Sequence, residues 1–203
     1  MSQTIIQIGA NTGNNPNDPI FKTISNRDQV FLFEPVPFLF EQLKKNYNKQ
    51  YPSNEFIFEQ KAVSNYDGKL NLFVPCESNN FTRFPYWANQ LASTNPDHIK
   101  SFFKNLKVKQ INVSCVSLNT IVSCYNIKNI DFLITDTEGH DFEILYYYNF
   151  TVQPKKIRFE HKHIDGIRKQ GEKYKKLLDK LYNLNYKLIE KTNQDTILIN
   201  ETC

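Results

Sequence analysis

What most restricts how this chain can fold is an alternation of short apolar runs with stretches of helical period. Ile5–Ile8 and Val30–Phe33 read as buried strands, and Glu55–Glu59 as a third, alternating one. Ile130–Thr135 and Lys156–Glu160 follow the same logic, and Tyr186–Glu190 and Thr196–Ile199 complete the set. Val36, Leu39, Phe40, Leu43 and Tyr47 fall on one face of a helix, with Pro37 in the first turn, where a proline is tolerated. Tyr174, Leu177, Leu178, Leu181 and Tyr182 repeat that spacing near the end. Strand, helix, strand in this order requires parallel pairing through right-handed crossovers. The short Thr192-Asn193 turn makes the last strand antiparallel to its neighbour. The expectation is one α/β domain over residues 1–203 with a mostly parallel sheet. Residues 69–117 do not fit the alternation: strand-like "KLNLFV" and "KQINVSCV" flank the aromatic "RFPYWANQLAST". They read as an insertion or edge extension after the third strand.

The totals exclude several classes. With 40% hydrophobic residues and a net charge of +4, the composition is that of a water-soluble globule. No apolar run approaches membrane-spanning length, and no signal peptide precedes Ile5, so a cytoplasmic protein is expected. Cys76, Cys115, Cys124 and Cys203 show no metal-binding spacing and read as reduced thiols. Lys155–Lys180 holds ten Lys or Arg against four Asp or Glu, a local +6. Such a run is either the solvated face of a helix or a basic rim that gathers an anionic acceptor.

In an open parallel sheet, ligands bind beyond the carboxyl ends of the strands. Here those ends read Gly9-Ala10-Asn11-Thr12-Gly13, Glu34-Pro35, Gln60-Lys61-Ala62-Val63, Asp136-Thr137-Glu138-Gly139-His140 and Glu160-His161-Lys162-His163. A carboxylate at position 34 can accept hydrogen bonds from both hydroxyls of a ribose, so the glycine turn with Glu34 indicates a nucleoside cofactor. Pro16 and Pro19 prevent a helix from starting directly after the turn, which makes a poor pyrophosphate cradle. That favours S-adenosylmethionine over a nicotinamide dinucleotide.

The segments "QIGANTG", "FEPVPFLFEQLKKNY", "LITDTEGHDFEIL" and "IRFEHKH" resemble the FkbM family of S-adenosylmethionine-dependent methyltransferases. The resemblance implies a Rossmann-like class I methyltransferase fold and, in most members, methylation of hydroxyls on sugars or natural products. It places Gly9, Ala10, Asn11 and Gly13 along the methionine and ribose, Glu34 on the ribose hydroxyls, and Pro35, Val36 and Ala62 near the adenine. Asp136, Glu138 and Gly139 then lie beside the transferring methyl. Gln7 replaces a commonly acidic residue, leaving Asp18 or Asp136 for the cofactor's amino group.

A hydroxyl acceptor needs a base; Asp136, His161, Glu160 and His140 are the candidates, Asp136 and His161 first among them. Arg83, Tyr86, Trp87 and His163 are candidates for holding the acceptor, an uncharged or anionic sugar, nucleotide-sugar or glycan. No metal ligand set is assigned, a Mg²⁺ held by Asp136, Glu160 and His161 being the minor alternative. Two rival functions remain: methylation of an RNA ribose 2′-hydroxyl, against which the modest net charge counts, and a non-catalytic module that only binds the cofactor.

Overall fold

The fold is read from a computed structural model, which describes residues 2–202. Met1 and Cys203, whose thiol was noted above, lie outside the described residues. In chain order the elements are β1 (Thr4–Ile8), β2 (Gln29–Phe33), α1 (Pro37–Gln50), β3 (Phe56–Glu59), β4 (Ala62–Ser64) and β5 (Gly68–Pro75). They continue with α2 (Pro96–Phe102), β6 (Val108–Ser117), α3 (Leu118–Cys124), β7 (Ile130–Thr135) and α4 (Asp141–Tyr146). The last are β8 (Pro154–Glu160), α5 (Glu172–Asn183), β9 (Tyr186–Lys191) and β10 (Asp195–Asn200).

Seven strands form the main sheet in the order β3-β2-β1-β7-β8-β10-β9. The pairs β1–β2, β2–β3, β1–β7 and β7–β8 are parallel, while β10 runs antiparallel to both β8 and β9. This is the Rossmann-like arrangement with an antiparallel final strand that the sequence calls for. Strand order reverses at β1, which has β2 on one side and β7 on the other, so the ligand crevice opens there.

Alternation along the strands sends residues to both faces. Ile5, Val30, Leu32 and Ile134 pack against Leu43 and Tyr47 of α1, while Ile6, Ile8, Phe31, Phe33, Leu133, Ile157 and Phe159 pack against α3, α4 and α5. Between β1 and β2 the chain forms turns and no helix, as Pro16 and Pro19 dictate. Asp18 closes this loop by accepting from the amides of Ile20 and Phe21 and from Gln7 Nε2 at 2.8 Å.

Residues 62–117 build a second, three-stranded sheet, β4-β6-β5, in which β4 and β6 are parallel. The aromatic stretch between β5 and α2 folds into two short 3₁₀ turns, Phe81–Arg83 and Tyr86–Gln90. Phe84, Trp87, Phe102 and Phe103 pack around Leu91, Ile99 and Leu106 there, giving this part its own small core. Cys76, Cys115 and Cys124 are free thiols. No helix among the described residues is long and apolar enough to cross a membrane.

The two glycines of the opening turn have separate reasons. A Cβ on Gly9 would fall 1.9 Å from the carbonyl oxygen of Asp136, so the backbones after β1 and β7 touch where no side chain fits. Gly13 (φ +74°) lies under α1, its missing Cβ 2.4 Å from Tyr47 Cε2 and 2.7 Å from Leu43 Cδ1. Gly13 is therefore a packing residue, and Gly13→Ala should cost about 1–3 kcal/mol in urea unfolding. A loss within about 0.5 kcal/mol would mean that Tyr47 and Leu43 move aside freely.

Candidate active site

A cavity of about 490 Å³ opens at the carboxyl ends of the main-sheet strands, roofed by the second sheet's 3₁₀ turns. Of the residues singled out from the sequence, Gln7, Gly9, Ala10, Asn11, Asp18, Glu34, Pro35, Ala62, Tyr86, Trp87, Asp136, Glu138, His140, Glu160 and His163 line it.

Glu34 is buried at the end of β2, with one oxygen accepting the Asn11 amide at 2.8 Å and the other the Val36 amide at 2.9 Å. Asn11 reaches it through a left-handed backbone (φ 53°), the conformation asparagine tolerates better than most residues. Burial raises the Glu34 pKa to about 7, the two amides opposing the shift. Each oxygen keeps a lone pair for a further donor, so the group fits a ribose diol. Asp18, held by Gln7, has its pKa raised by desolvation and offers an anion a short distance along the same wall.

The chemistry-bearing end lies past β7 and β8. The Asp136 amide bonds to Ile8 O at 3.0 Å, while its side chain is open to the cavity. Lost hydration and then the charges of Glu138 and Asp141 raise its pKa well above the ordinary carboxylate range. Glu160 is buried, its Oε2 has no hydrogen-bond partner, and desolvation followed by Asp136 and Glu138 raises it strongly. Two carboxyls influencing each other in this way do not both ionise readily. Glu160 is the enclosed member of the pair, and Asp136 is the one exposed to the cavity. His140 Nε2 lies 2.9 Å from Ser64 Oγ, and desolvation lowers its pKa, keeping the ring neutral.

Several expected residues are placed elsewhere. His161 is fully buried behind the sheet, its Nδ1 2.8 Å from Thr196 Oγ1 and its ring against Tyr174, so it has no access to the cavity. Being flanked by the antiparallel β10, residue 161 turns to the face opposite Glu160. That removes both the His161 base and any Mg²⁺ site drawn from His161. Arg83 is exposed on the first 3₁₀ turn, outside the lining. Val36 contributes its amide to Glu34 and packs its side chain against Leu39 and Val74, while Gly139 lies behind the wall against His163. The Lys155–Lys180 run is mostly spent on structure. Lys155, Lys173 and Lys175 pair with Asp131, Glu143 and Glu172, and Lys180 Nζ caps α4 through Tyr146 O at 2.6 Å and Tyr148 O at 2.7 Å.

Other functional groups escaped sequence reading. Asp141 accepts from Thr135 Oγ1 at 2.5 Å and Thr137 Oγ1 at 2.7 Å, holding the Asp136 loop in shape; burial raises its pKa to about 6. Arg158 and Asp195 enter the lining as a 2.8 Å ion pair between β8 and β10. Their proximity follows from the antiparallel register, which pairs Asp195 with Glu160 and could be inferred only once that register was known.

The lining is rich in acid: Asp18, Glu34, Asp136, Glu138, Glu160 and Asp195 face Lys61, Arg158 and Lys162, of which Lys61 and Arg158 are already paired. The cavity thus brings the Glu34, Asp18 and Asp136 carboxyls to one wall, an arrangement with room and polarity for S-adenosylmethionine.

Comparison with known proteins bears on this reading. The model of the methyltransferase FkbM domain matches residues 7–188. A search of curated proteins found no match. Among solved structures, similarity is found to the Methanococcus jannaschii fibrillarin pre-rRNA processing protein (14% identity, TM-score 0.48, 98% of this chain and 67% of that one). A fibrillarin/Nop5p complex gives 12% identity and a TM-score of 0.46 over 97% and 70% of the two chains. M. capricolum TrmK with bound S-adenosylhomocysteine gives 13% and 0.42 over 98% and 61%. The match to the family model spans almost the whole chain, with Gln7, Glu34, Asp136 and Glu160 all inside it. The chain belongs to the FkbM family of methyltransferases, whose methyl donor is S-adenosylmethionine.

Proposed function

We propose that this chain transfers a methyl group from S-adenosylmethionine to a hydroxyl of a sugar or glycan acceptor that carries no phosphate. The observation that carries the reading is the juxtaposition of an exposed Asp136 and a buried Glu160 in the same cavity as Glu34. Glu34 receives the ribose hydroxyls, with Gly9, Ala10 and Asn11 alongside. Pro35 and Ala62 flank the base, and Asp18 with Gln7 receives the ammonium. Bound there, S-adenosylmethionine supplies a methyl already activated on a sulfonium, so the protein's task is to align the acceptor and remove its proton.

Asp136 takes that proton. Its raised pKa makes it a stronger base than an ordinary carboxylate, closer to the operating pH where general bases are most effective. Glu160, buried in the same wall with its pKa raised strongly, adds little repulsion when neutral. Glu138 and His140 complete the wall on the acceptor side. The insertion acts as a lid, with Tyr86 at the rim and Trp87 braced by Phe102 and Phe103 at ring separations of 5.8 and 5.2 Å. A wall with more carboxylates than free cations repels phosphates, which disfavours both nucleotide-sugars and RNA.

Three measurements test this. Glu34 must be ionised to accept two hydroxyls, and those donors lower its pKa in the complex. Cofactor affinity should therefore be constant above the free-protein value of about 7 and weaken toward tenfold per pH unit below it. Calorimetry across that range should find Glu34→Gln weaker throughout and lacking this pH step; an unchanged step in the variant removes Glu34 from the ribose site. Asp136→Asn should lower turnover on the order of 10²-fold or more, and Glu160→Gln, which resembles the neutral acid, by less than roughly tenfold. Equal damage from both would assign the base differently. Finally, labelled S-adenosylmethionine offered with neutral glycosides, nucleotide-sugars and RNA should mark the glycosides, and Tyr86→Ala should raise the acceptor KM without changing the cofactor Kd. Label appearing in RNA alone would overturn the acceptor class.

A further inference from the structure

Behind the acceptor wall a second cavity of about 280 Å³ lies between the insertion and the segment after β8. His98 from α2, Glu138 from the turn after β7 and His163 from beyond β8 meet on the partition between the two cavities. One ligand-type atom from each lies within 4.8 Å of the others. Both histidines are buried, and their rings stand edge to face at 4.4 Å and 81°. Among the described residues no Lys or Arg pairs with Glu138.

The His98–Glu138 contact is the informative one. Nε2 is 2.7 Å from Glu138 Oε2, yet it is a buried nitrogen without a hydrogen bond, because the oxygen does not lie along the ring's N–H direction. A hydrogen bond at that distance should be nearly linear. Close but off-axis leaves no proton shared between the two atoms; as ligands of one ion at about 2.0–2.2 Å in tetrahedral geometry they would stand roughly 3.3–3.6 Å apart, so uptake lets this tight pair open. The backbone supports this presentation. Glu138 is left-handed (φ 53°), Ser93 Oγ donates to its carbonyl at 3.0 Å, and the adjoining Gly139 has no room for a Cβ, which would lie 2.9 Å from His163 O.

We propose that His98, Glu138 and one ring nitrogen of His163 bind a single divalent transition-metal ion, clipping α2 of the insertion to the loops after β7 and β8. Two imidazoles and one carboxylate suit Zn²⁺ or Co²⁺; Mg²⁺ and Ca²⁺ want oxygen ligands throughout. The ion offsets the lone charge of Glu138. Its uptake has one definite cost. The Arg168 amide donates to His163 Nδ1 at 3.1 Å, so the neutral ring holds its proton on Nε2, 3.7 Å from Glu160 Oε1. Ligation through either nitrogen ends that amide bond, and the turn at Arg168 has to shift. Affinity is accordingly lower than that of a preformed structural zinc site.

The test uses the full chain, without an affinity tag, after chelator treatment. Titration with Co²⁺ should show one saturable equivalent with visible d–d bands and no thiolate charge-transfer band. Zn²⁺ at about a hundredfold excess over Kd should raise Tm by several degrees, on the order of 5–10 °C, and Mg²⁺ at the same concentration should not. His98→Leu should abolish both effects. Because His98 is buried and its replacement can prevent folding, the same titration is followed by ¹H–¹⁵N correlation of the four imidazoles in the unmodified protein. His98 and His163 should shift on adding Zn²⁺, while His140 and His161 should not. Absence of saturable binding, binding retained in His98→Leu, a thiolate band, or shifts confined to His140 or His161 would each overturn the proposal.

Discussion

The active cavity depends on a contact between two backbones. Gly9 leaves β1 so close to the carbonyl of Asp136 that even a methyl group would not fit between them. Around that contact the Gly9 and Ala10 amides both bond to Phe33 O, and the Asp136 amide bonds to Ile8 O. The loops after β1, β2 and β7 are thereby knitted at the point where strand order reverses. Glu34 and Asp136, more than a hundred positions apart in the chain, become two ends of one cavity. A side chain at position 9 would separate the loops and dissolve the arrangement without touching either carboxylate.

The same knitting explains how so much negative charge is tolerated. A buried carboxylate is costly unless hydrogen-bonded, paired or protonated. Glu34 uses two amides, Asp141 two threonines and an amide, Asp18 two amides and Gln7, and Asp195 uses Arg158. Asp136 and Glu160 have none of these, and their pKa values rise together. Carboxyls left without such partners, Asp136 and Glu160 here and Glu138 beside them, mark where a cation or a transferable proton belongs.

Most of the main sheet was legible from the sequence. Strands from Ile5, Val30, Ile130 and Lys156 onward, and the helices built on Leu39–Tyr47 and Tyr174–Leu181, are long or apolar enough for their period to show. Three elements were not seen: β4, α2 and α3 have between three and seven residues each, too few for a period to emerge. One of them, α2, did carry a local signal, Asn95 capping ahead of Pro96, yet nothing local announced that His98 would reach Glu138. His161 was misjudged for a related reason. Adjacent residues of a strand end face opposite sides, and only the β8–β10 register decides whether position 160 or 161 meets the cavity.

By itself the sequence determined the layers, the glycine turn, Glu34 and Asp136, and with them the nucleoside-binding class, because strand ends and turn chemistry are local properties. The tertiary structure alone decided which titratable groups converge. It sent Glu160 into the cavity and His161 away from it, spent the basic run of Lys155–Lys180 on ion pairs and a helix cap, and brought His98 from the insertion to Glu138. Each of those outcomes rests on contacts across dozens of residues, where burial and register, and no local preference, set what a side chain meets.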